Sequence, residues 1–487
     1  MLLTVIRREI LGHLLSLRFG LMAVLVLALM AANGFLFAGE RSTLAVTQYN
    51  ENVRQAREEI ESLCEQGLNH LAEKGPGELY RRPGTLVFCV SGGDGAMPSR
   101  IDATSHSSYG WRSNEFSYSW KMPWNLQYTV DTPLPTNPAL PSFAELDWSF
   151  AIGLALSLMA LLLTYDAISG ERRDGTLRLA MANPVPRDLL LLGKYLAALF
   201  TVAGPLLLGV VVSLLILLAG GSVDLASDDW VRLALAVGLS LVYVSVFAGL
   251  GLLVSALVRR PTTGLLGLLL LWVLSVELVP GGLGVLGMHL AEPISSVEGA
   301  RQGRALVDGF IEHAKQALFT RLSPSQAPDD EQVLRDWADA LNEFRDGQME
   351  LLDRTADRQL QRVSFARTLT RLSPTAVYRY GLEALAGTGF SHYRSFVSQA
   401  RRYRDQFHAF LQGQDRADPD SPHHYFVREG VSARPVDPRI VPHFADRFPL
   451  AEGLRAAVWD IVVLVVLAVL LFLAAYLSFL RCDLAES

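Results

Sequence analysis

The sequence predicts a polytopic α-helical membrane protein. It has six transmembrane helices with both termini cytoplasmic, a mixed α/β outer domain after helix 1 and a mainly helical outer domain between helices 5 and 6. Three observations predict this. Six stretches of the 487-residue chain reach or approach the roughly 20 apolar residues a helix needs to cross a hydrocarbon layer. Charged residues make up 19%, below the about 25% usual in soluble domains, and mean hydropathy is +0.26. Lysines and arginines gather in the connections that would share one side of a membrane. A net charge of −6 gives no basic footprint for nucleic acid, and three cysteines are too few for a disulfide scaffold or a multi-cysteine zinc module.

Residues 1–18 read as an amphipathic interfacial helix. Leu3, Ile6, Ile10 and Leu14 share one face, with Arg7, Arg8 and His13 as polar neighbours. The first span, 19–38, carries no charge. Its full-length apolar run, with no small-residue cleavage site after it, argues against a secretory signal. Residues 39–147 are too long for a connecting loop and form the first outer domain. Within it Ala45–Lys74 has helical spacing (Val46, Tyr49, Val53, Ile60, Cys64, Leu68, Leu71). Thr85–Val90 and parts of Phe116–Val130 read as strands, and Pro133, Pro135, Pro138 and Pro141 as a stiff linker.

The second span is 148–165, followed by an inner connection, 166–194. Spans three to five are 195–220, 231–258 and 262–279. Span four has Arg232 near its outer edge, and span five contains Glu277. Residues 280–460 form the second outer domain. Helical spacing covers Val333–Phe365 and Ser391–Leu411, and Ser373-Pro374 marks a helix start leading into Val377, Tyr380 and Leu382. Residues 412–424 and 433–442 read as loops. Span six is 461–480, with a cytoplasmic tail, 481–487.

Orientation follows from the basic residues. Arg7, Arg8, Arg18, Arg172, Arg173, Arg178, Arg187, Lys194, Arg259, Arg260 and Arg481 all fall in connections of one sidedness, whereas the loop GGSVDLASDD between spans three and four has none.

Several other residues bear chemistry. Cys64 and Cys89 share the first outer domain. An oxidising compartment favours their pairing, closing a loop of roughly 25 residues worth about 3 kcal/mol; two buried thiols are the alternative. An acid inside a span is a functional candidate, so Glu277 is a gating or substrate residue or else caps a helix broken at Pro280-Gly281-Gly282. Residues 280–289 then read as a re-entrant or interfacial piece. His423-His424 has no second ligand pair at metal-binding spacing, so no metal site is expected. No nucleophile elbow precedes a helix, so no catalytic residue is expected.

The most informative stretch is Tyr165–Ala197, YDAISGERRDGTLRLAMANPVPRDLLLLGKYLA. A short charged helix leads to Gly175-Thr176-Leu177. Asn183-Pro184-Val185-Pro186-Arg187 breaks the chain, Asp188 caps the next helix, and Lys194 stands where that helix enters the membrane. This closely resembles the permease subunits of type-2 ABC exporters, in which an acidic residue, Gly-Thr-Leu, Pro-Val-x-Arg and Lys follow span two in this order. Gly170, Glu171, Gly175, Thr176, Leu177, Pro184, Arg187 and Lys194 match that pattern, and the six-span layout and amphipathic first helix agree with it. The large outer segments are similar to a subgroup that includes gliding-motility and copper-enzyme maturation permeases.

The resemblance implies a bacterial cytoplasmic (inner) membrane permease without ATP chemistry of its own. No Gly-x-x-x-x-Gly-Lys-Ser/Thr loop is present, so ATP and Mg²⁺ would belong to a separate ABC ATPase present in two copies. It implies that Glu171–Leu177 docks in a cleft of that ATPase, with Glu171, Arg172 and Arg173 giving register and Leu177 an apolar anchor. Six spans call for a second permease, as a homodimer or a heterodimer with a related chain. The alternative reading is ATPase-driven mechanical transmission through the outer domains to a periplasmic or envelope partner, without transport.

Overall fold

The computed structural model describes residues 2–481 apart from 39, 106–107, 113–116, 122, 129–145, 177–185, 222, 224, 292–295, 320–329 and 426–427. The expected proline linker, Leu177, Pro184 and Cys482 lie outside the described residues.

Among the described residues, six helices are long and apolar enough to cross a bilayer: Leu17–Phe37, Trp148–Arg173, Arg187–Ala219, Ser227–Leu257, Pro261–Leu290 and Leu450–Leu480, here spans 1–6. Spans 2 and 4 are mostly enclosed by protein, whereas spans 1, 5 and 6 present most of their surface outward. Close contact at the centre depends on a missing side chain. A Cβ on Gly251 of span 4 would lie 1.9 Å from the Thr164 hydroxyl of span 2. Span 5 is longer than expected. Pro280 does not end it, because a π-helical turn, Leu274–Leu278, precedes the proline and absorbs the lost backbone hydrogen bond. Residues 280–290 therefore continue the span, not a re-entrant piece.

The other helices are α1 (Leu2–Leu14), α2 (Glu40–Gln66), α3 (Leu68–Lys74), α4 (Ser169–Arg173, the last turn of span 2), α5 (Ser296–Phe319), α6 (Asp330–Thr370), α7 (Pro374–Ala386) and α8 (Gly389–Arg416). Two antiparallel hairpins join them. β1 (Gly77–Tyr80) pairs with β2 (Arg100–Ala103) in the register Gly77↔Ala103, and β3 (Ser108–Arg112) with β4 (Ser117–Lys121). The expected strand at 85–90 is instead a turn, with Leu86, Phe88, Cys89 and Val90 buried against the bundle. The helical run through Gly67 breaks there. The residue has φ +128°, and a Cβ would approach Ala433 O to 2.6 Å.

The two large segments share one core. Ile60, Cys64, Leu68 and Leu71 of α2 and α3, with Trp124 and Leu126, pack on Phe396, Ala400, Tyr403 and Phe407 of α8. Arg404 of α8 reaches Asp353 of α6 at 3.1 Å, tying the long α6 to the same core.

The expected disulfide does not form. Cys64 and Cys89 are free and buried, Cys64 in this core and Cys89 in the bundle core. Each sulfur fills its own apolar cluster, so a bridge would have to empty one of them. Burial pushes the Cys64 thiol up to about 11 and raises Cys89 as well.

Helix α7 sits inside the bundle. Every residue from Thr375 to Ala386 is buried, and the helix packs on spans 4 and 6. Ser373 caps it, accepting from the Thr375 and Ala376 N–H groups, and its own hydroxyl donates to Ser275 O at 2.5 Å. Tyr378 stacks on Tyr243 with ring centroids 4.4 Å apart. Ser275 and Tyr243 lie halfway along spans 5 and 4. The α6–α7 hairpin thus dips from the domain end to the middle of the spans. It carries charges with it: Arg367 pairs with Glu383 at 2.5 Å, and Arg371 with Asp460 at 2.6 Å.

Candidate functional site: the helix between spans 2 and 3 and its anchors

The motif between spans 2 and 3 lies at the end of the bundle opposite the large domain. After Thr164 the chain turns through 165–168 and re-forms a helix over Ser169–Arg173. First-turn N–H groups of a helix lack intrahelical acceptors. Here those of Ile168 and Ser169 donate to the Ser255 hydroxyl of span 4, at 2.9 and 3.1 Å. Ser255 is fully buried, so α4 is fastened to span 4 without solvent between them. Gly175 ends the turn at φ +71°, in open space, where only glycine is unstrained.

Lys194, 4% exposed, provides the second anchor. Its ammonium donates to Glu9 of α1 at 2.9 Å and to Glu171 of α4 at 2.8 Å. One cation between two carboxylates ties α1, α4 and span 3 into one body. A buried lysine needs such partners, because an unpaired charge there would be costly. A missing side chain lets α1 come close: a Cβ on Gly193 would meet Val5 at 2.7 Å, so α1 lies against span 3 with Val5 and Ile6 inward. Leu3, Leu11, Leu14 and Leu15 face away. Burial pushes the His13 imidazole below its ordinary value, against the pull of Glu9.

The third anchor is Arg187, whose Nη1 donates to Leu480 O at 2.9 Å, satisfying a last-turn carbonyl of span 6. Span 3 starts at Arg187, with Pro186 as its N-cap. Asp188 therefore stands in the first turn and does not cap the helix. Arg18 adds a surface tie to Asp166 at 2.9 Å. Ile168, Leu190, Leu191, Leu252, Ala256, Ala475 and Phe479 close an apolar cluster between these anchors.

The motif residues therefore divide. Gly170, Glu171, Arg187 and Lys194 face inward or bond within the chain. Glu171 in particular points at Lys194, not outward as a docking contact. Arg172 is half-buried, and Arg173, Asp174, Gly175 and Thr176 are exposed. Sequence spacing placed Lys194 at the membrane entry but did not reveal Glu9 as its partner, nor Ser255 as the anchor of α4. Glu9 lies in an amphipathic helix where an acid reads as solvated, and Ser255 in an apolar span. The weak signal for both was a polar residue one step from a buried face.

A profile of the family described as ABC-2 family transporter protein matches residues 3–484. The chain belongs to the ABC-2 transporter family. Members are membrane components of ABC transporters rather than their ATP-binding subunits, and membership implies an ABC ATPase as partner. No curated protein matches the sequence. In this ABC-2 permease the remaining sequence candidates scatter. Glu277 stands in the π-helical turn on the exposed side of span 5, within electrostatic reach of Arg379. His423 bonds Asp415 at 2.9 Å, and the neighbouring His424 N–H donates to Gly430 O, so both serve their loop.

Proposed function

We propose that this chain is the permease of an ATP-driven exporter in a bacterial cytoplasmic membrane, working as a dimer with two ABC ATPase subunits. ATP and Mg²⁺ are held by those subunits. Coupling runs through α4. The Arg172–Thr176 edge, exposed from Arg173 onward, seats in the ATPase, with Leu177 and Pro184 continuing the contact. The observation that carries this reading is the double fastening of α4, to span 4 through Ser255 and to span 3 and α1 through Lys194. A force applied at Arg173 then reaches three helices as a rigid displacement. The basic residues around α4 set this end in the cytoplasm, which puts the opposite end, with the large domain built from parts of 39–147 and 291–449, outside. Glu277, exposed on a span, calls for cover by a second permease copy or by a polar path, since a bare carboxylate in lipid is costly.

The test is co-expression with the partner ABC ATPase. Arg172→Glu with Arg173→Glu lowers ATPase recovery about ten- to a hundredfold while the permease stays monodisperse. Full recovery with unchanged ATP turnover overturns the reading.

One observation favours a second reading, mechanical transmission. Helix α6 has 41 residues, roughly 60 Å, and joins the hairpin inside the bundle to the large domain without a break. A rod of that length would carry motion from span 5 to an envelope partner. Reconstituted vesicles separate the readings: ATP-dependent solute movement supports export, and ATP-dependent domain motion with no movement of solute supports transmission.

A further inference from the structure

A cleft of about 390 Å³ lies between α6, α7, α8 and the domain end of span 6, away from the coupling site. Arg367, Arg371 and Arg394 line it together with Glu452 and Asp460, and serine hydroxyls fill the gaps between them. Its depth relative to the bilayer follows from span 6. The apolar run after Asp460 has 20 residues to Leu480, which rise about 30 Å, the thickness of a hydrocarbon core. Asp460 therefore stands at the boundary. Trp459 beside it is 73% exposed, the setting of an interfacial aromatic anchor. Ala456 lies one turn above, in the headgroup layer, and Glu452 one turn beyond.

The charges in the cleft are only partly satisfied. Asp460 holds Arg371 with both oxygens, at 2.6 and 3.1 Å, and Glu383 holds one side of Arg367. Arg367 Nη1 is buried with no hydrogen-bond partner among the described residues. Arg394 and Glu452 make no ion pair among the described residues. The open valences at the surface of the cleft are thus the Arg394 guanidinium and the Glu452 carboxylate, with the Arg367 and Arg371 cations held in the same lining by Glu383 and Asp460. A plain anion would meet Glu452, and a plain cation would meet Arg394. A ligand that bears both a phosphate and an amine satisfies both at once.

We propose that this cleft binds a phosphate–amine headgroup of the phosphoethanolamine type, its phosphate among Arg367, Arg371 and Arg394 and its ammonium toward Glu452. The site is independent of the coupling helix and holds whether the chain exports or transmits force. The headgroup reaches it from a lipid in the leaflet on the large-domain side or from a soluble phosphoester.

The test is native mass spectrometry of the full chain in detergent, with phosphatidylethanolamine or phosphatidylglycerol added. The unaltered chain retains phosphatidylethanolamine over phosphatidylglycerol. Arg394→Gln lowers that retention about tenfold, the loss of one charge-assisted contact. Glu452→Gln abolishes the preference and leaves phosphatidylglycerol retained as well. Both side chains are at the surface of the cleft, so melting temperatures stay at the unaltered value. Displacement of the lipid by glycerophosphoethanolamine supports the site with solution as a source. Failure to displace it, with the two variant effects present, supports the site with the membrane as its source. Equal retention of both lipids by the unaltered chain overturns the proposal. So does retention unchanged by Arg394→Gln, or displacement by inorganic phosphate as effective as that by glycerophosphoethanolamine.

Discussion

Replacing Lys194 with methionine should loosen the coupling end of the molecule. Methionine keeps the length and apolar stem of lysine, so the change isolates the ammonium. Its removal leaves Glu9 and Glu171 facing each other without a cation. Breaking a fully buried ion pair from one side costs about 3–5 kcal/mol. Here the glutamate side chains keep 18% and 20% exposure, so water recovers part of that loss and about 2–3 kcal/mol remains. In a chain of this size a kcal/mol is worth about 1–2 °C, which sets the expected drop in thermal midpoint at roughly 2–6 °C. The assay is thermal unfolding of the purified chain in detergent, followed by tryptophan fluorescence. Adding Glu9→Gln and Glu171→Gln to Lys194→Met should restore most of the midpoint, because no buried charge is then unpaired. ATP turnover in the complex should stay uncoupled in the triple variant, since α4 is no longer tied to span 3. A Lys194→Met midpoint within 1 °C of the unaltered chain, with normal coupling, would refute the reasoning.

Gly251→Ala should separate spans 2 and 4 and cost about 1–3 kcal/mol, and Thr164→Ala in the same chain should recover much of it, both read as yield of monodisperse protein and thermal midpoint. His408, stacked on Trp124 at 4.4 Å, is pushed by burial to about 3, with Arg345 and Arg404 adding to the effect. The unfolded histidine takes up its proton near pH 6.5 while the folded one stays neutral, so stability is lost as pH falls from about 6.5 towards 3. Between pH 7 and pH 5 that loss is about 2 kcal/mol, and chemical denaturation of His408→Gln should show that much less pH dependence over the same range. Cys64 and Cys89 should both be alkylated under denaturing, non-reducing conditions, and a mass consistent with a bridged pair would contradict the free thiols.

The six spans were legible because apolar length is a local property: the helices of spans 1 and 4 begin and end within about four residues of the expected bounds, whereas helix runs eight residues past span 2 and ahead of span 3, and eleven past span 5 and ahead of span 6. Pro280 and two glycines read as a stop, and the compensating π turn upstream leaves no sign in composition. The α6–α7 hairpin was hidden for a different reason. Arg367, Arg371, Arg379 and Glu383 make that segment look water-soluble, and only tertiary pairing with one another and with Asp460 lets it enter the bundle. Residues 85–90 are a continuous apolar run that reads as a strand, yet among the described residues they join no sheet; the Phe88 and Cys89 carbonyls instead accept from Trp148 and Ser149 N–H at the start of span 2. The two outer segments looked like separate domains since the contacts of α8 with α2 and α3 join residues more than 300 positions apart. At the candidate coupling site the sequence motif marked the loop that the structure fastens to spans 3 and 4. It could not tell which members bond inward, because Glu171 and Arg173 are equally charged and only the position of Lys194 in space separates them.

The central claim is that the exposed edge of α4 is where the ABC ATPase seats. Its most direct test is a photo-crosslinking residue placed at Thr176, with a second at Glu350 on α6 as the control, in membranes that contain the ATPase. The account predicts a crosslinked band of permease plus ATPase from position 176 and none from position 350. No adduct from 176, or an adduct from 350 instead, would contradict both the docking surface and the orientation of the molecule in the membrane.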